Sequence, residues 1–197
     1  MKLLLYCTKA KPYLTMTTDF VSFRRFDCYD RDLGCLNGKI VAECDYEVEE
    51  IFEDNFEDAR DGYVEHFYTL KSYDDFDEGQ KVLLKESCLQ KHELSNYLGF
   101  ENGYAIHIKN LHIFDEPKEL SEYYTKKKNN VEENEDLFMD GILYTTIKSA
   151  PQNMMYAKQP LKEDKIIISI RPEHLVNILN GYKTIEIRKK ILNEMKE

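Results

Sequence analysis

The residues best suited to chemistry in this chain are Lys183, Glu186 and Arg188, which follow Gly181 at intervals of two, three and two. A lysine and an arginine on either side of a glutamate suit a phosphate-bearing ligand that also carries an amino group. The cations reach phosphate or a base edge, and the carboxylate accepts a hydrogen bond. The same residues suit a plainer arrangement, in which neighbours on one strand pair with each other and contribute little. Both arrangements stay open on the residues alone. Ser169 and Arg171 stand shortly before this run, and Tyr6 and Tyr104 offer ring faces on which a base stacks. With fourteen tyrosines in 197 residues, ordinary core packing is the competing use for either ring.

These side chains need a frame, and residues 166 to 188 supply most of one. Ile166, Ile167, Ile168 and Ile170 form a β-branched run too short for a helix, so a buried strand is expected. Pro172 suits the first turn of a helix, where its missing N–H would be unpaired anyway. Leu175, Ile178 and Leu179 then recur at helical spacing, and Gly181 ends the helix. From Lys183 the period becomes two, with Ile185 and Ile187 on one side and Thr184, Glu186 and Arg188 on the other. A second strand with a charged inner or groove face is expected.

The run of Gly181, Lys183, Glu186 and Arg188, with the strand and helix before it, resembles the opening of an ASCH domain, a small β-barrel of the PUA-like superfamily. Other pieces are similar to the later strands and helix of phage and prophage ASCH proteins: Leu3 to Thr8, Ile40 to Val48, Glu86 to Leu98, Gly103 to Leu120 and Ala150 to Gln152. Their order is rotated, so the resemblance implies an α+β fold: one circularly permuted ASCH barrel over residues 1–197, small and mixed, with a few short flanking helices. In that reading residues 1–120 and 145–156 are the second half of the family pattern and 166–190 the first half. Residues 157–165 are then the polar joint, and 121–144 a mobile insertion or linker. Such a joint is cheap where the original ends lie close together on the surface. A swapped dimer and the start of a second, truncated domain are the rivals to closure within one chain.

The resemblance also implies a function: a binding module for RNA or for a nucleotide or nucleoside. Its cleft is lined by Lys183, Glu186, Arg188, Arg171 and Ser169, with Tyr6 and Tyr104 as further contacts. Some relatives are enzymes, and enzyme status stays open. One branch hydrolyses N4-acetylcytidine with the signature lysine and a threonine three residues later; Lys183 matches, while Glu186 stands in the threonine position. Lys183 is the catalytic candidate if the chain is an amidohydrolase. A ribonuclease activity ascribed to relatives finds no further residue in this chain.

The formal net charge is −10 and unevenly spread. Fifteen Asp or Glu between Glu43 and Glu78 face Arg60 and Lys71, a local balance of −13 that leaves +3 for the rest. Exposed charges farther apart than roughly 8 Å are largely screened, so a cationic groove and an acidic face coexist. The acidic segment 43–78 supports a second reading, a phage-type protein that imitates nucleic acid and blocks a basic host protein. Its bland counterpart is a solvated or disordered surface.

No run of about 18 apolar residues and no cleavable leader is present, so a cytoplasmic protein without a membrane partner is expected. Cys7, Cys28, Cys35, Cys44 and Cys88 are an odd set without Cys-x-x-Cys spacing, which fits reduced thiols, with Cys7 and Cys44 in the core. His66, His92, His107, His112 and His174 give no metal triad, so neither a metal nor a cofactor is expected. The residues do not fix an oligomeric state.

Along the rest of the chain, Lys2 to Thr8 reads as a strand and 13–37 as loop with room for short strands. Gly38 to Ile51 alternates as a long strand wet on one face, and Gln80 to Leu98 holds one or two short helices. Tyr104 to Ile108 and Leu111 to Phe114 read as two strands before a turn at Asp115, Glu116 and Pro117, and Met154 to Tyr156 as an extended cover on the core.

Overall fold

The computed structural model describes residues 1–8, 36–51, 78–98, 101–127, 136–139, 141–159 and 163–196. Most of the expected loop over 13–37 and of the acidic segment, 52–77, lies outside them. In chain order the described elements are β1 (Lys2–Cys7), β2 (Ile40–Ile51), α1 (Glu78–Ser87), α2 (Lys91–Leu98), β3 (Gly103–Lys118), β4 (Tyr124–Lys126), β5 (Leu137–Met139), β6 (Ile142–Thr146), β7 (Met154–Ala157), β8 (Lys165–Ile170), α3 (Pro172–Leu179) and β9 (Ile185–Arg188). They divide into two compact units: Met1–Asp45 with Asn110–Asn180, and Tyr46–Lys109 with Gly181–Glu197.

In the first unit the isoleucine strand β8 lies between β7, antiparallel, and β1, parallel in register from Lys2 opposite Lys165 to Cys7 opposite Ile170. β1 pairs in turn with the beginning of β2, antiparallel. A strand flanked by a parallel neighbour is normally covered on both faces, which is why its sequence is a continuous apolar run rather than an alternation. Leu3, Leu4, Leu5, Ile166, Ile167 and Ile168 are accordingly all buried. Each such side chain contributes roughly 1.5–3 kcal/mol. Leu4, Tyr6, Ile40, Phe114 and Ile167 form one cluster, with Leu120, Tyr123, Ile147 and Ala157 added to it. α3 packs against β1 and buries Leu175, Val176, Ile178 and Leu179. It begins at Pro172 and is followed by Gly181 at φ 76, the left-handed conformation that glycine adopts without penalty.

Segment 157–165, expected as a polar joint, connects the paired strands β7 and β8, with Ala157 opposite Lys165. Of 121–144, expected as a mobile insertion or linker, residues 128–135 and 140 lie outside the described residues, and β4, β5 and β6 form a three-stranded sheet in the order β4-β6-β5. Met139 and Ile142 face each other across the turn, and Gly141 takes φ 76 there. Asp140 and Gly141 are the two residues between them, a pair strongly favoured in tight hairpins. Residues 103 to 118 also differ from expectation, forming one long strand rather than two strands and a turn. Asn110 absorbs the irregularity at φ 48, with its side-chain amide donating to Asp45 Oδ2 at 2.8 Å.

The expected closed barrel is not formed. The first unit's strands run β7-β8-β1-β2 and the second's β2-β3-β9, and no pairing among the described residues closes either set. Beyond β7 the chain pairs sideways instead: Tyr124 and Lys158 exchange both backbone hydrogen bonds, at 2.8 and 2.9 Å, which leads into the small sheet. The fold is mixed α+β, mostly sheet with a few short helices.

In the second unit β9 pairs antiparallel with β3, from Tyr104 opposite Arg188 to His107 opposite Ile185. Ile185 and Ile187 pack with Ile51, Ala105 and the helix residues Leu84, Leu94 and Leu98. No helix among the described residues is long and apolar enough to cross a membrane.

Candidate functional site

The site begins at the C-terminal end of α1. A helix end leaves four carbonyls without intrahelical partners. Here Cys88 enters the left-handed region at φ 54, its N–H donating to the Lys85 carbonyl and that of Leu89 to the Leu84 carbonyl, both at 3.2 Å. This is the usual reversal at a helix terminus, with Leu89 packed against the apolar cluster. The last two carbonyls are closed from far along the chain: Thr184 N–H donates to Glu86 at 2.9 Å and Lys183 Nζ to Ser87 at 2.8 Å. Thr184 Oγ1 also donates to Glu86 Oε2 at 2.7 Å, and Cys88 Sγ lies 3.3 Å from the Tyr182 carbonyl. Residues 182–184 thereby latch the helix end.

From Lys183 an ionic triad follows β9. Lys183 Nζ is 3.2 Å from Glu186 Oε2, and Arg188 Nη2 is 3.0 Å from Glu186 Oε1. Oε2 has that ionic contact but makes no hydrogen bond, while Lys183 Nζ donates to Ser87. The side chains are 2%, 7% and 15% exposed in the order Lys183, Glu186, Arg188, so the triad leads from the interior towards Arg188 at its edge. The charged face expected on this strand is therefore buried, as are Ile185 and Ile187 on the opposite side. Charges taken out of water cost several kcal/mol each, which mutual attraction offsets only when geometry and hydrogen bonds are good.

Tyr104 stands opposite Arg188 in the β3–β9 ladder. Lys196 Nζ lies 2.9 Å from Tyr104 Oη and 5.0 Å from the ring centroid, at the hydroxyl end of the ring. That hydrogen bond, with the neighbouring charges, raises the proton affinity of Lys196 despite the opposing effect of burial. Glu50 Oε1 is 3.9 Å from the same ammonium. Lys196 escapes sequence reasoning because it is one lysine in a polar tail without periodicity. Only the 3-10 turn Asn193–Met195, with Met195 buried, turns it back.

The other predicted contacts sit in the first unit. Ser169 is buried, its Oγ donating to the Pro151 carbonyl at 2.7 Å, and it pairs in register with Tyr6. Tyr6 is 5% exposed within the apolar cluster, and burial raises the pKa of its phenol. Its ring is core rather than platform. Arg171 is exposed and precedes α3, its carbonyl accepting from the N–H groups of His174 and Leu175. The structure therefore joins Lys183, Glu186 and Arg188 by direct contact and Tyr104 by strand pairing, and gives Ser169 and Tyr6 local structural work. Among the described residues no three His, Cys, Asp or Glu side chains are grouped to hold a metal ion. No protein-family model, curated protein or solved structure matches the chain.

Proposed function

We propose that this chain is a binding module of the ASCH type, in permuted order, that holds RNA or a nucleotide at Lys183, Glu186 and Arg188. The observation that carries this reading is the buried triad. Replacing a buried ion pair or triad with well-packed apolar side chains is often neutral or stabilising, so fold stability alone is a poor account of its presence. A ligand that meets Arg188 at the least buried end of the triad is a better one. In this reading Arg188 contacts phosphate or a base edge, Glu186 fixes the guanidinium, and Lys183 ties the entry to β9 onto the end of α1. The family reading rests on the resemblance of the run Gly181, Lys183, Glu186 and Arg188, which β8 and α3 precede.

The test is a thermal-shift screen with nucleosides, nucleotides and short RNAs, followed by titration at two salt concentrations. Ligand binding to the native state raises its stability, and phosphate contacts weaken with salt. RNA or nucleotide binding that Arg188→Ala abolishes supports the reading; affinities unchanged in Arg188→Ala contradict it.

The alternative, an acidic protein that blocks a basic host protein, draws no support from the described part of segment 43–78. Glu43 pairs with Lys165 at 2.5 Å, Asp45 with Lys2 at 2.6 Å, Glu47 with Lys109 at 2.5 Å and Glu49 with His107 at 3.0 Å. These carboxylates are engaged by cations and a histidine of their own chain. A hydrolase reading lacks a threonine three residues after Lys183, where Glu186 stands in ion-pair contact with both cations.

A further inference from the structure

We infer that Tyr104, Arg188 and Lys196 form a subsite for one phosphorylated nucleotide unit, with the base on the tyrosine ring and its phosphate held by the two cations. The inference rests on the binding reading above and narrows it. Directly opposed residues of an antiparallel pair have Cβ atoms about 4.5–5.5 Å apart, so Arg188 and Tyr104 are immediate neighbours. Lys196 joins them through Tyr104 Oη at 2.9 Å. An aromatic face accepts any base, a guanidinium fork matches phosphate oxygens in pairs, and an ammonium adds a point charge.

One feature favours binding and another favours a single phosphate. Arg188 is held by Glu186 and Lys196 by Tyr104 Oη, so both cations are positioned before a ligand arrives, which lowers the ordering cost of binding. Each cation also already faces a carboxylate, Glu186 at 3.0 Å for Arg188 and Glu50 at 3.9 Å for Lys196. The excess positive charge is therefore small, and a monoester suits it better than a triphosphate tail. The shared chemistry is a nucleoside monophosphate, whether free or as the terminal unit of an RNA strand.

The test is calorimetric titration of the full-length chain with adenosine, AMP, ATP, inorganic phosphate, and short oligoadenylate with and without a 5′-phosphate. AMP should bind about tenfold or more tightly than adenosine, the scale of one charge-assisted contact, and more tightly than ATP. Lys196 is 44% exposed, so Lys196→Ala should fold normally, lose most of the AMP advantage and leave adenosine unchanged. Tyr104→Phe should keep adenosine binding and reduce the phosphate advantage, whereas Tyr104→Leu should weaken both ligands. Preference for the 5′-phosphorylated oligomer would assign an RNA terminus, and preference for AMP alone a free nucleotide. Equal affinity for AMP and adenosine, or AMP affinity unchanged in Lys196→Ala, overturns the subsite. If Arg188→Ala still abolishes RNA binding in that case, the triad reading survives it; absence of binding by every probe and RNA removes both.

Discussion

Lys183 Nζ donates to the Ser87 carbonyl at 2.8 Å, across 96 positions of sequence, and so finishes helix α1 with a side chain from the segment leading into β9, the strand that carries Glu186. The residue that heads the ionic triad is also the cap of a helix, which couples the candidate site to the packing of the second unit.

Lys183→Ala should therefore be costly. It removes the cap and leaves the buried Glu186 with one cation fewer, a defect of about 3–5 kcal/mol. Urea unfolding measures it, and a loss below about 1 kcal/mol would contradict the buried arrangement. The triple variant Lys183→Met, Glu186→Leu, Arg188→Met should recover most of that stability while losing ligand binding.

Cys88 holds φ 54, a conformation that costs a residue with a Cβ roughly 1–2 kcal/mol. Cys88→Gly is expected to raise unfolding free energy by about 1 kcal/mol, since the thiol contact with the Tyr182 carbonyl is weak. A lower denaturation midpoint would show that the thiol contact matters more than the backbone.

Much of the local structure was legible in the sequence for physical reasons. Ile166 to Ile170 had to be covered on both sides, Pro172 and Gly181 bracket a helix, and the alternation from Ile40 is a strand. Non-local partners were not legible. Nothing near Lys183 names Ser87 as its acceptor, and nothing near Tyr104 names Lys196. The pair Asp140 and Gly141 does signal a hairpin, but the charge runs beside it dominate any reading by composition. The strand pattern is likewise silent about whether outer strands close on each other; the barrel was expected from the family resemblance, and open sheets were found. The charged inner or groove face expected of this strand was legible, but its depth of burial was not, because Thr184, Glu186 and Arg188 on one side suit a solvated surface equally well.

Tyr123 is fully buried, and its Oη makes no hydrogen bond. Burial first, then the charges of Glu122 and Glu43, hold the phenol proton far above its usual range. Tyr123→Phe should raise stability by roughly 1–3 kcal/mol by removing an unsatisfied group. A clear drop in melting temperature would mean instead that this hydroxyl has a partner in solution.

Glu43 supplies a pH dependence. Burial pushes its pKa up, but the hydrogen bond and charge of Lys165 outweigh that and hold it below the ordinary glutamate value. A depressed folded-state pKa stabilises above the unfolded value, near 4.3, and that stability is lost as pH falls through the folded one. Glu43→Gln should therefore lower the urea midpoint at pH 7 by the equivalent of about 1 kcal/mol or less, and the gap from wild type should close as pH falls through the folded-state value. A gap that widens on acidification would reverse the sign and contradict the pairing.

The most direct test of the central claim is titration of a short single-stranded RNA into wild-type chain and Arg188→Ala, at low and moderate salt. The account predicts salt-sensitive binding by wild type and a loss of about tenfold or more in the variant, with both proteins folded. Indistinguishable affinities, or no binding by wild type at low salt to RNA or any nucleotide, would leave the Lys183, Glu186 and Arg188 triad as structure alone.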